Sequence, residues 1–262
     1  MFSKAAPVTS VIRDRDVDNP IAVRFEHVTK TYKLFRSDRH RLAHAITGKV
    51  KCDTINASDD LTFTVNRGES VALLGDNGAG KSTALKMITG VCFPTKGSIE
   101  VHGRVSALLE LSAGFDMRLT GRENIRLRGQ IWGLENDEID AMEPEVIEFS
   151  ELGKYIDQPM RTYSSGMRAR LGFAVTSSMK PDILVVDEAL AVGDRKFSLK
   201  CRRRVRSIME EGHVTVLFVT HSLKMAEVFC EKGIVLEHGH AVFSGTIEEA
   251  MKFYAGDDEG VE

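Results

Sequence analysis

Residues 75–82 read Gly75-Asp76-Asn77-Gly78-Ala79-Gly80-Lys81-Ser82, a complete Gly-x-x-x-x-Gly-Lys-Ser pattern. The pattern follows the apolar run 71–74 and directly precedes a helix-like stretch from Thr83 to Thr89, with the helix itself expected to start near Lys81. Glycines let the backbone wrap around phosphates, and a helix start adds the positive end of its dipole. Lys81 then supplies a charge for the outer phosphates and Ser82 a hydroxyl for Mg²⁺. We therefore predict a nucleoside triphosphate site rather than an ordinary glycine-rich turn.

Two further apolar runs end in groups that could act on this nucleotide. Residues 183–186 read Ile-Leu-Val-Val and lead into Asp187 and Glu188, as in a buried parallel strand with chemistry at its carboxyl end. Asp187 is expected to hold Mg²⁺ through its shell, and Glu188 to polarise the attacking water. The run 218–220 ends at His221, which could reach the terminal phosphate. Taken alone, His221 would be read as a loop residue.

A serine pair precedes another helix-like stretch, 169–179. Ser164 and Ser165, with the amides up to Gly166 and Met167, would form an anion site at a helix start. The alternative is a plain serine cap on an amphipathic helix.

In this order, the four patterns resemble the ATP-binding cassette (ABC) family over roughly residues 21–254. Ser164-Ser165-Gly166-Met167 stands where that family usually has Ser-Gly-Gly-Gln. The resemblance implies an α/β fold of the P-loop NTPase class, with a RecA-like core, an antiparallel β-subdomain and an inserted α-helical subdomain at about 115–180. It also implies ATP and Mg²⁺ as cofactors. A head-to-tail homodimer is implied as well, in which each ATP lies between the phosphate loop (residues 75–82) of one chain and the serine motif (residues 164–167) of the other.

The resemblance brings in two more candidates. The family usually has a glutamine near Mg²⁺ in a segment comparable to 107–115, but that segment has none here, and Glu110 is our best candidate for metal contact and catalysis. An aromatic residue that stacks on adenine is expected at the end of the first strand, where Tyr32 stands. The alternative for Tyr32 is an edge residue of the core.

Three stretches, 119–125, 163–175 and 187–194, resemble the subfamily that exports surface polysaccharides. That resemblance implies an ATPase subunit, peripheral on the cytoplasmic face of the cell membrane, which works with an integral permease in two copies. The cargo would be a lipid-linked capsule, O-antigen or teichoic acid chain. Some members carry an additional C-terminal carbohydrate-binding domain; the chain ends at Glu262, so we expect the permease to select the cargo. The alternatives are an importer, a lipid or drug exporter, and a soluble ABC ATPase acting on ribosomes or DNA.

Composition narrows these classes. The 262 residues are 42% hydrophobic, enough for one large domain, and a net charge of −3 gives no basic footprint for nucleic acid. The four cysteines are scattered, which is typical of reduced thiols. We expect a disordered tail at 1–20 and an acidic tail at 255–262.

Alternation and turn residues indicate the remaining elements. Ile21, Val23 and Phe25 alternate, as do residues 61, 63 and 65, and both runs predict strands. Two strands broken at residue 103, helices over 121–151 with a break or start near Pro144, and a hairpin at 238–240 are also predicted.

The segment 33–56 is an insertion rich in lysine and arginine. Within it, Ser37 could cap a short helix carrying Leu42, Ala45 and Ile46 on one face. Such a basic amphipathic helix would lie against a membrane surface or a partner, or the segment is a solvated insertion.

Overall fold

The computed structural model describes residues 10–16, 18–47, 52–108, 114–187, 193–211, 213–220 and 222–258. The chain forms two compact units. The first unit combines Met1–Gly103 with Val219–Glu262, and the second unit is Arg104–Phe218.

Strands and helices alternate through most of the chain. In order, they are β1 (Ser10–Asp14), β2 (Ile21–Leu34), α1 (Asp38–Thr47), β3 (Asp53–Asn66), β4 (Ser70–Leu74), α2 (Lys81–Ile88), β5 (Lys96–His102), β6 (Val105–Ala107), α3 (Gly121–Ile131), α4 (Asn136–Ser150), α5 (Ser165–Ser178), β7 (Ile183–Asp187), α6 (Arg195–Glu210), β8 (Thr215–Val219), α7 (Leu223–Phe229), β9 (Lys232–Glu237), β10 (His240–Thr246) and α8 (Ile247–Asp258). Short 3₁₀ turns at Gly153–Asp157 and Met160–Thr162 precede α5.

A four-stranded sheet in the first unit has the order β1-β5-β2-β3. Strand β2 pairs antiparallel with both β3 and β5. The alternation that predicted β2 and β3 is confirmed, because Phe25 faces Phe63 across the pair and their rings stack with centroids 4.5 Å apart. Both rings are buried, so this face of the sheet belongs to the core.

The predicted disordered tail was wrong at Ser10–Asp14, which form β1 and pair in parallel with β5. Side chains fix this strand as well as backbone bonds. Arg13 donates to the carbonyl oxygens of Met87 and Ile88, at the last turn of α2. A guanidinium is well placed there, because the final carbonyls of a helix lack partners within the helix. The prediction rested on the many charges of this segment, and it missed that one of them caps a helix.

His102 lies next to this contact, opposite Asp14 at the end of the same strand pair. It is buried, with Nδ1 2.8 Å from the Asp14 carboxylate and Nε2 3.5 Å from that of Glu100. Burial opposes the charged imidazole, but the hydrogen bonds to the two carboxylates outweigh it, so the pKa of His102 lies above its ordinary value.

Stability should therefore depend on pH through His102. A raised folded-state pKa gives stability that is fully present below the unfolded pKa of about 6.5 and is lost as the pH rises through the folded pKa. We expect the gap in thermal unfolding midpoint between the parent chain and His102→Gln to narrow as the pH rises from about 6 to about 8. His213→Gln, at an exposed histidine, is the control. A gap that stays constant or widens would contradict the assignment.

Strands β4, β9 and β10 of the first unit hold the phosphate loop in place. All five residues of β4 are buried, β9 pairs with it in parallel, and β10 folds back on β9. The predicted hairpin is confirmed at His238 and Gly239, which both have positive φ. The amide of Gly239 donates to the Ala79 carbonyl at 3.1 Å, and its own carbonyl accepts from the Asp59 amide at 2.9 Å. The hairpin thus connects the loop to β3.

In the second unit, helices α3, α4 and α5 share a hydrophobic core whose buried members run in sequence from Phe115 to Met179. Asn124, fully buried, donates to the carbonyls of Asp116 and Thr120 and closes the turn before α3. The predicted helix break or start near Pro144 was wrong, because Pro144 lies inside α4, which continues unbroken on both sides of it. Ile139, Met142 and Val146 are buried on either side of it, and this packing offsets the one backbone bond that proline cannot make.

The second unit covers a longer stretch of sequence than the helical insertion expected at about 115–180. It also contains β6 and β7, which pair in parallel, so strand pairing adds to the helix packing of this unit. The expected tail at 255–262 was wrong up to Asp258, where α8 ends. No helix among the described residues combines the length and apolarity needed to cross a membrane.

Helix α1 lies within the insertion between β2 and β3. None of its residues is buried, and Leu42 and Ile46 are 63% and 76% exposed. The ring of His44 packs against Phe35, with centroids 5.2 Å apart. The predicted helix is confirmed, and among the described residues none covers its apolar face.

Candidate functional site

The phosphate loop leaves β4 at Gly75 and enters α2 at Lys81. Gly80 caps α2 with φ 105°, and a Cβ at this position would lie 2.5 Å from the Ala57 carbonyl oxygen. A Cβ on Gly75, at φ 140°, would overlap the Leu236 carbonyl. Both positions thus require glycine for conformation and for space.

Lys81 closes this loop from within. Its Nζ donates to the carbonyl oxygens of Gly75 at 2.5 Å and Asp76 at 2.9 Å. The amide of Ala79 donates to Asp76 as well, at 3.1 Å, which tightens the turn. Other members of the loop are open to solvent: Asp76, Asn77, Gly78 and Ser82. The ammonium group and the exposed backbone can therefore meet an anion that approaches the start of α2.

Tyr32 lies near the end of β2, opposite Ile55 of β3, and 38% of it is exposed. Its hydroxyl donates to the Cys92 sulfur at 3.8 Å, and Nζ of Lys30 lies 5.2 Å from its ring centroid. Burial raises the pKa of Tyr32, and the contact with Cys92 raises it further, against an opposing hydrogen bond from Thr83. Tyr32 therefore lies beside α2, near Thr83 in its first turn and Cys92 beyond its last. Stacking on adenine stays a prediction.

Asp187 is the last residue of β7. The four residues before it are fully buried, whereas Asp187 is half-buried, so its carboxylate stands at the carboxyl end of the strand. The other three predicted catalytic residues, Glu188, His221 and Glu110, lie outside the described residues. Phosphate loop and Tyr32 share the first unit, and Asp187 belongs to the second.

The serine motif starts α5 in the second unit. Ser164 is the N-cap, and its hydroxyl accepts from the Met167 amide at 3.2 Å. The serine cap that both interpretations require is therefore confirmed, and the anion site stays a prediction. Ser165 is exposed, and among the described residues outside its own helix backbone and chain neighbours, a Cβ on Gly166 would come closest to the Ser164 hydroxyl, at 3.9 Å. The motif therefore leaves room for a ligand in front of the helix start.

Sequence reasoning missed one contact of the phosphate loop. The hydroxyl of Tyr254, in α8, donates to the Asp76 carboxylate at 2.7 Å. The two residues are 178 positions apart, and neither local pattern marks the pair. Spacing within α8 does predict that Tyr254 shares a face with Ile247 and Ala250, which are buried.

Similarity to known proteins agrees with this geometry. The family model described as ABC transporter matches residues 58–191. The O-antigen export system ATP-binding protein RfbB of Klebsiella pneumoniae is 44% identical over 242 residues, which cover 88% of this chain and 96% of that protein. The teichoic acids export ATP-binding protein TagH of Staphylococcus haemolyticus is 42% identical over 234 residues, which cover 89% of this chain and 88% of that protein.

Solved structures share the fold. A dimeric ATP-binding cassette in a post-hydrolysis state, bound to ADP and Pi, superposes with a TM-score of 0.68 at 22% identity and covers 86% of this chain and 98% of that one. An ATP-binding subunit of an ABC transporter gives 0.71 at 24% identity, covering 90% and 93%. The predicted α/β fold of an ABC nucleotide-binding domain is confirmed. The chain therefore belongs to the ABC transporter family, as a cassette that binds ATP and hydrolyses it to drive transport.

Proposed function

We propose that this chain powers the export of a lipid-linked polysaccharide (capsule, O-antigen or teichoic acid) across the cytoplasmic membrane. The observation that carries the proposal is the identity of more than 40% with two ATP-binding proteins of surface-polysaccharide export, along most of both lengths. The chain would work from the cytoplasmic face, bound to two copies of an integral permease. An importer, or a lipid or drug exporter, would share the cassette, whereas both relatives named above serve polysaccharide export.

ATP binding starts at the first unit in this proposal. Lys81 exchanges its two carbonyl partners for phosphate oxygens, and exposed loop amides take the remaining oxygens. Tyr32 stacks on the base, which is worth about 1–3 kcal/mol.

Hydrolysis uses the carboxyl ends of the strands. The Ser82 hydroxyl and the Asp187 carboxylate are the hard oxygen ligands that Mg²⁺ prefers, and both are accessible at the ends of their elements. They would hold the ion, which offsets charge on the phosphates. Glu188 polarises the attacking water, His221 contacts the terminal phosphate, and Glu110 takes the place of the usual glutamine.

The site is completed by a second copy of the chain. The start of α5, with open space before Gly166 and an exposed Ser165, presents amides and hydroxyls to the ATP held by a partner. ATP then joins two identical chains head to tail, and hydrolysis removes the charge that holds them together. Dimeric cassettes among the solved structures of this fold support that assembly.

Export can be tested in the cells that carry this chain. On depletion of the chain, surface polysaccharide should fall and the lipid-linked precursor should accumulate inside the cytoplasmic membrane. The parent chain should restore the surface glycan and Glu188→Gln should not, measured by surface labelling and by extraction of the lipid-linked pool. Tagged chain should also co-purify with an integral membrane protein.

Two outcomes would contradict the proposal. One is unchanged surface glycan on depletion together with failed uptake of a solute, which would indicate an importer. The other is co-purification with ribosomes or DNA instead of a membrane protein.

A further inference from the structure

Helix α8 reaches the phosphate loop through one stripe of residues. Ile247 and Ala250 are 8% and 0% exposed, and the backbone of β9 approaches them so closely that a Cβ on Gly233 would overlap the Ala250 methyl group. Tyr254 stands four positions after Ala250, on the same face of the helix. The packing of Ile247 and Ala250 against β9 therefore sets the position of the Tyr254 hydroxyl.

The Tyr254 hydroxyl donates a hydrogen bond to Oδ1 of Asp76 at 2.7 Å. Asp76 is exposed and lies one residue past Gly75, inside the loop. Its backbone carbonyl accepts from Nζ of Lys81, the group that meets the phosphates. A carboxylate thus stands within the loop that must take up a polyanion, and like charges at such range repel each other.

We propose that Tyr254 is a positioning residue for nucleotide binding, which holds the Asp76 carboxylate against α8 and keeps its negative charge turned away from the incoming phosphates. The inference rests on the phosphate-binding role of the loop in the proposed function. Phe253, the preceding residue, stacks on Phe243 with ring centroids 5.0 Å apart, so the last turns of α8 are fixed from a second side. Asp76 then gains a partner that does not depend on nucleotide.

The test is a double-mutant cycle of Tyr254→Phe and Asp76→Asn in the full chain. The dissociation constant of a fluorescent ATP analogue is measured by titration at low and at high salt. Tyr254→Phe keeps the ring and removes the donor. Its dissociation constant should rise about 3- to 10-fold, because a hydrogen bond to a charged group is lost and the carboxylate is freed. The loss should shrink at high salt, since screening weakens the repulsion. kcat at saturating ATP should stay the same.

Adding Asp76→Asn to Tyr254→Phe should restore binding to near the parent value, because the charge that the tyrosine restrains is gone. Asp76→Asn alone should bind the analogue as tightly as the parent chain or more tightly, since the repelling charge is gone and the amide oxygen still accepts from Tyr254. Tyr155→Phe removes a hydroxyl from a half-exposed tyrosine of the second unit and is the matched control.

Three results would overturn the proposal. Unchanged affinity in Tyr254→Phe overturns the proposal, as does an equal loss in the double variant, which would mean that the tyrosine acts through packing alone. A fall in kcat with unchanged affinity overturns it as well. Failure of the parent chain to bind the analogue would instead overturn the proposed function itself.

Discussion

Glu188→Gln is expected to bind ATP and to form the ATP-dependent dimer, yet to hydrolyse ATP about 10²–10⁴ times more slowly than the parent chain. Glu188 follows Asp187, the half-buried residue that ends β7. Successive side chains of a strand alternate in direction, and from this pattern the sequence predicts one carboxylate for the metal and the next for the water. The amide of glutamine keeps the shape of the side chain and cannot take a proton.

The measurement pairs phosphate release with size-exclusion chromatography in ATP and Mg²⁺. Glu210→Gln, which removes an exposed carboxylate at the end of α6, is the control and should hydrolyse ATP at the parent rate. Turnover by Glu188→Gln at the parent rate would show that another group activates the water. A monomeric Glu188→Gln in ATP would argue against the composite site.

The phosphate loop was predictable because its pattern lies within one short stretch of the sequence. Gly80 is fixed by a positive φ and by the closeness of Ala57, and the β4 run is apolar because all of it is buried. The same holds for β2 and β3, where alternation follows directly from one buried face. Patterns of this kind are read from neighbours along the chain.

Contacts between distant segments were not predictable in the same way. β1 was taken for a disordered tail, although Arg13 caps α2 some 75 positions away. Pro144 was taken for a helix break, although the buried residues around it hold α4 together. Likewise, the sequence around Asp76 does not predict its contact with Tyr254. In each case tertiary packing outweighs the local preference on which the prediction relied.

Lys81→Ala should abolish the nucleotide site, with a loss of about 10²–10³ in hydrolysis, the usual cost of removing one donor to the transition-state charge. Nζ of Lys81 is held by the Gly75 and Asp76 carbonyls, 2.5 Å and 2.9 Å away, so the ammonium is already in place before a phosphate arrives. Lys86→Ala is the matched control, because it removes an equal charge from an exposed position on the same helix.

Lys81→Ala could act on the loop or on the phosphates, and thermal unfolding with and without ATP separates the two. A ligand that binds only the folded state raises its stability by RT ln(1 + [L]/Kd), so the parent chain and Lys86→Ala should gain with ATP and Lys81→Ala should not. If Lys81 mainly braced the loop carbonyls, the variant would lose stability without nucleotide and still gain with ATP. We expect the reverse, because the bonds that Lys81 makes are partly exposed and stabilise little, whereas no other side chain of the loop brings a positive charge to the phosphates.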